Sequence, residues 1–165
     1  MIINQFQTRM DTDPNAEASA FAEGEDFEKE GKKMKEMILY RCEICGNLIC
    51  MVENSGVVPI CCGKKMTAFT ANSVDATVEK HVPVLVRDGE GAHVFVGKTP
   101  HPMTEEHRIS HIFLLTSKGL YMRFLKSSEA PEVCFRLCPG EEILTAYALC
   151  NIHGLWKMQA QGASE

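Results

Sequence analysis

Two clusters of metal-ligand side chains constrain this chain of 165 residues more than any other feature. The larger cluster is His81, His101, His107, Cys150 and His153. Any fold that uses it must bring residues as distant as His81 and Cys150 to one point. The mix of donors is unusual. Structural zinc sites close at four ligands, and catalytic zinc sites keep three protein ligands with an open position. Four imidazoles with one thiolate instead suit a five-coordinate transition metal with one position free. Soft sulfur beside imidazole points to iron or copper rather than magnesium or calcium. His93 and His111 fall outside this pattern and read as strand or surface residues.

The smaller cluster is Cys42, Cys45, Cys61 and Cys62. Cys42-Glu43-Ile44-Cys45 followed by Gly46 reads as a knuckle, a tight turn that faces two sulfurs toward one ion. Four thiolates in a tetrahedron suit zinc or iron. Zinc ribbons usually use two Cys-x-x-Cys knuckles, and the adjacent pair Cys61-Cys62 departs from that. Eight cysteines in a chain with no signal-peptide pattern speak for metal or redox chemistry rather than a disulfide framework. Cys50, Cys134 and Cys138 are left over and read as small hydrophobes.

Composition narrows the class. A formal charge of −5 and no basic patch argue against nucleic-acid partners. No apolar run is long enough for a membrane span, and the N-terminus lacks a signal-peptide core, so a cytoplasmic setting is expected. Residues 1–37 carry nine acidic and five basic residues with few large apolar ones, and are expected to be a disordered extension or a frayed helix. Residues 38–73 form a unit too small to bury an adequate core, which a metal or a partner subunit must stabilise. Short strands are expected at 38–40 and 57–60. From 74 to 160 the pattern is β, with a hairpin over 82–96 and further runs at 109–115, 120–125, 132–138 and 143–149. Turn signals at this spacing favour an all-β sandwich or barrel.

Three blocks in this order, Glu79-Lys80-His81-Val82-Pro83, His101-Pro102-Met103-Thr104-Glu105-Glu106-His107 and Cys150-Asn-Ile-His-Gly-Leu-Trp156, closely resemble superoxide reductase, the desulfoferrodoxin family. The front cysteines resemble the desulforedoxin-type site of its two-iron members. The resemblance implies an immunoglobulin-like β-sandwich behind a desulforedoxin-like domain. It implies two non-haem irons per chain, one tetrahedral with four Cys and one with four His in a plane and Cys150 below. The implied reaction is one-electron reduction of superoxide to hydrogen peroxide at the ferrous rear site. The implied partners are an external donor such as a rubredoxin and a second subunit in a homodimer. Lys80 is the expected attractor of the superoxide anion. Glu79 is expected to occupy the open position after turnover. Pro83 and Pro102 are expected to stiffen the ligand loops. The front site suits electron storage or a purely structural role. Two other classes stay open on residues alone: a non-enzymatic iron electron carrier and a zinc-stabilised interaction module.

Overall fold

In the computed structural model, residues 36–74, 78–89 and 91–160 are described. All of them belong to one compact unit. Most of the expected disordered extension, residues 1–35, lies outside the described residues. Glu36 and Met37 are described and are docked. Met37 is buried, its N–H donates to Tyr147 Oη at 3.2 Å, and Glu36 pairs with Lys157.

The front segment contains β1 (Ile38–Arg41), β2 (Leu48–Met51), β3 (Ile60–Cys61), β4 (Lys64–Lys65) and β5 (Thr67–Ala68). They form a three-stranded sheet in the order β2-β1-β5 and a β3-β4 ladder. β2 lies outside the strands read from sequence. Of the run 57–60 only Ile60 enters a strand, because Pro59 has no N–H to give a ladder.

A single helical turn, α1 (Val78–His81), leads into the sandwich. Its strands are β6 (Pro83–Asp88), β7 (Gly91–Val96), β8 (Ile109–Thr116), β9 (Leu120–Phe124), β10 (Glu132–Arg136), β11 (Ile143–Cys150) and β12 (Gly154–Gln159). One sheet runs β10-β7-β6 and the other β12-β11-β8-β9, with every pairing antiparallel. β12 was hidden in the sequence behind the last ligand block.

Alternation explains the first sheet. Ala92, Val94 and Val96 of β7 face the core, while His93 and Phe95 face outward. β8 and β11 do not alternate, and nearly every residue in them is buried. The reason is a cover on both faces. Ile112, Leu114, Ala146 and Ala148 point into the sandwich. Phe113, Leu115, Tyr147 and Leu149 point the other way and pack under Met37 and Leu39, with Leu48 and Phe69 at the margin. The front segment therefore completes its core on the outer face of the larger sheet. Among the described residues, its own buried cluster is Tyr40, Cys42 and Met66.

Candidate metal centres

The front centre grows from the turn after β1. Gly46 N–H returns to Cys42 O at 2.9 Å, and Cys42 N–H reaches Asn47 O at 2.9 Å. Gly46 sits at φ 77°, a conformation that closes the turn and favours glycine. Cys61 and Cys62 arrive on the β3-β4 turn, where Cys62 itself is left-handed at φ 51°. Their sulfurs lie 3.9 Å apart, and Cys45 Sγ lies 3.6 Å from Cys61 Sγ. A tetrahedron with metal–sulfur bonds of about 2.3 Å has edges of about 3.8 Å. The four sulfurs are thus spaced to hold one ion, all within 4.8 Å of one another. Backbone N–H groups of Cys45 and Ile44 hold the Cys42 thiol down at about 6. Cys62 is pushed up to about 12 by the neighbouring thiols, Cys45 first. One thiolate forms readily and the next are resisted, a cost that a bound cation removes.

The rear centre draws on four places. His81 ends α1, His101 and His107 lie between β7 and β8, Cys150 ends β11, and His153 lies in the β11–β12 turn. Their five ligand atoms all fall within 4.8 Å of one another. The rings form a closed cycle. Centroids are 4.7 Å apart for His81–His101, 4.5 Å for His101–His107, 4.8 Å for His107–His153 and 4.7 Å for His153–His81. Neighbouring rings stand nearly perpendicular, at 76° to 85°. The His81–His107 diagonal is 6.3 Å with rings 28° from parallel. A square of side 4.7 Å has a diagonal of about 6.6 Å, so the four imidazoles approach a square pinwheel. The fifth donor, Cys150 Sγ, is 3.5 Å from His153 Nδ1.

Ring orientation selects the inward nitrogen. His101 Nδ1 bonds Pro102 O at 2.6 Å, which leaves Nε2 for the centre. Pro102 thus contributes its carbonyl as well as its ring. His101 Nε2 and His107 Nε2 are buried and without a hydrogen-bond partner. Buried polar atoms are rarely left so, and two aimed at one point fit a cation. His153 turns Nδ1 inward, 2.8 Å from His81 Nε2. Burial drives His101 down to about 4, against the Pro102 carbonyl, and lowers His107 as well. Neutral imidazoles are the form that binds metal.

Several supporting residues carried no sign of their role in the sequence. Trp156 lies 4.8 Å from His81 at 22°, and its Nε1–H donates to His153 O at 3.2 Å. One indole therefore packs on the His81 ring and ties down the backbone of His153. Gly97 supports the loop before β6. Lys98 N–H bonds Glu79 O at 2.7 Å and Gly97 N–H bonds Val82 O at 3.1 Å. Glu79 is exposed and Lys80 half-buried on that loop. His93 pairs with Glu132 at 3.2 Å, and His111 packs against Phe113 and Phe124, so neither joins the centre. Pro83 is buried at the start of β6. All eight cysteines are free thiols; Cys134 and Cys138 are exposed and Cys50 is half-buried, so the surface holds two of the three expected to be buried. Among the described residues no helix is long and apolar enough to cross a membrane.

Comparison with known proteins gives a consistent picture. The desulfoferrodoxin family model matches residues 73–159. A desulfoferrodoxin of Syntrophotalea carbinolica is 38% identical over 125 residues, covering 76% of this chain and 98% of the relative. One from Desulfarculus baarsii is 42% identical over 122 residues, covering 73% and 94%. The crystal structure of the superoxide reductase from Treponema pallidum is similar with a TM-score of 0.65 at 35% identity, covering 75% of this chain and 99% of that one. The all-β fold, the two donor clusters and the length shared with these relatives agree, and the chain belongs to the desulfoferrodoxin family of superoxide reductases.

Proposed function

We propose that the chain reduces superoxide: one superoxide, one electron and two protons give one hydrogen peroxide, and an external donor restores the reduced state. The observation that carries this reading is the square of four imidazoles with a single thiol as fifth donor. Iron held by these five donors would supply the electron and an open position for a small anion. A pure electron carrier needs no such opening.

The chain's own residues supply the rest. His81, His101 and His107 would offer Nε2, His153 Nδ1 and Cys150 its sulfur to that iron. Lys80, next to His81 in the chain, would draw in the superoxide anion and relay a proton through water. Glu79, exposed on the same turn, would supply a carboxylate able to cap the open position between turnovers. The front cysteines would hold a second iron, which would store an electron or stiffen the segment.

Exposed Ile44, Val52, Val57 and Ile60 crowd the front segment and support a homodimer formed there. The family match beginning at residue 73 supports a division into an iron domain at 38–73 and the reductase sandwich at 74–160. Free thiols throughout support a reducing, cytoplasmic setting, with a rubredoxin-like carrier as donor. The test is Cys150→Ser in iron-loaded protein. Its visible thiolate-to-iron band and its turnover should both disappear while the front site keeps its colour. Retention of the rear band and full turnover would refute the reading.

A further inference from the structure

The β8–β11 ladder is interrupted just before the rear centre. Leu149 pairs with His111 but Cys150 pairs with Ile109, so Ser110 is the extra residue of a bulge. Ser110 Oγ–H donates to Leu149 O at 3.1 Å across the gap. The ladder then resumes through Asn151, whose N–H donates to Arg108 O at 3.1 Å.

The Asn151 side chain extends it further. Its Oδ1 accepts from Arg108 N–H at 2.8 Å, and its Nδ2 donates to Glu106 O at 2.8 Å. The amide thus behaves like one more peptide unit of β11 set against the chain around His107. That chain is a closed turn, with Thr104 N–H to His107 O at 3.0 Å and His107 N–H to Thr104 Oγ1 at 3.1 Å. Asn151 itself stands between Cys150 and His153. Three of the five donors, Cys150, His153 and His107, are therefore referred to one amide that touches none of them.

We infer that Asn151 is a positioning residue that locks the turn carrying Cys150 and His153 to the loop carrying His107, and so sets the rigidity of the rear centre. This rests on the reading that these five donors hold one iron. It concerns retention and geometry of the metal, and it stands or falls separately from the fate of superoxide. Partners outside the ligand shell typically change metal affinity about 10- to 100-fold when removed.

The test uses full-length, iron-loaded, oxidised protein challenged with a chelator. The rear site's ferric electron paramagnetic resonance signal is followed, which separates it from front-site iron. Asn151→Ala should lose the signal about tenfold faster than wild type, and its line shape should spread as the square loosens. Asn151→Asp keeps the acceptor for Arg108 N–H and should fall between the two; it also serves if the alanine variant does not fold. Ile152→Ala, at a neighbouring side chain 57% exposed, should match wild type. The inference is overturned if either Asn151 variant keeps wild-type decay and line shape. It is overturned equally if Ile152→Ala loosens the site as much, or if the wild-type rear site takes no iron. Intact iron retention with no superoxide reduction would sink the proposed function and leave this inference standing.

Discussion

Gly97→Ala is the substitution through which the fold should be felt most sharply at the rear centre. Gly97 has φ 83°, and a Cβ built there would stand 2.6 Å from Thr99 O, 2.7 Å from Lys80 O and 2.8 Å from Lys80 C. All three atoms are backbone, so no side chain can swing aside. The left-handed conformation alone costs an alanine about 1 kcal/mol. Relieving contacts this short requires the 97–99 turn or the Lys80 peptide to move by several tenths of an ångström, an overpacking strain of about 1–3 kcal/mol. The total is about 3 kcal/mol. For a unit of this size that corresponds to a fall in Tm of about 10 °C. The displaced peptide leads directly into His81, so the damage should be polar in the molecule. Rear-site iron should be lost preferentially, while the front site, held by its own turn, should stay loaded. Calorimetry of the purified protein, with iron at each site read from its visible spectrum, measures both effects. A variant with Tm within about 2 °C of wild type and a fully loaded rear site would refute the packing argument.

Other perturbations separate the remaining parts. Cys42→Ser should empty or disturb the front centre and leave superoxide reduction largely intact; metal analysis and kinetics on the same preparation decide it. Lys80→Ala should slow the bimolecular reaction about tenfold and remove its fall with rising salt, as stopped-flow mixing across an ionic-strength series would show. Glu141 is buried, and Thr116 Oγ1–H, together with Cys138 N–H at 2.9 Å and Tyr121 Oη–H at 2.9 Å, holds its carboxyl below the ordinary 4.5. A depressed carboxyl contributes stability above its unfolded value and loses it as pH falls through the folded one. Denaturant midpoints from about pH 6 to about pH 3 should therefore drop more steeply in wild type than in Glu141→Gln, which should start about 2 kcal/mol lower.

Much of this architecture was legible because ligand chemistry and β periodicity are local signals. His101-Pro102 and Cys150-Asn151-Ile152-His153 each show donors at short spacing, and turn residues such as Pro139-Gly140 mark strand ends. What was not legible depends on distant partners. The unbroken apolar runs of β8 and β11 imply burial on both faces, yet nothing in them says that Met37, Leu39 and Phe69 supply the second cover. Glu141 follows Pro139-Gly140 and reads as a turn charge, whereas it is 1% exposed. Its partners Thr116 and Tyr121 lie on another hairpin. Gly97 and Asn151 look like ordinary loop residues until the backbone of Lys80 and of Arg108 is seen against them. β12 is masked in the sequence because Gly154-Leu155-Trp156 also forms the tail of a ligand block.

The reaction proposed for the rear centre is reduction of superoxide without dismutation. The most direct measurement is anaerobic: reduced, iron-loaded protein receives a limiting pulse of superoxide, and hydrogen peroxide and dioxygen are counted. Reduction predicts one peroxide for each superoxide consumed, no dioxygen, and one rear-site electron lost per event. One peroxide and one dioxygen for every two superoxides, with the iron left reduced, would contradict the account.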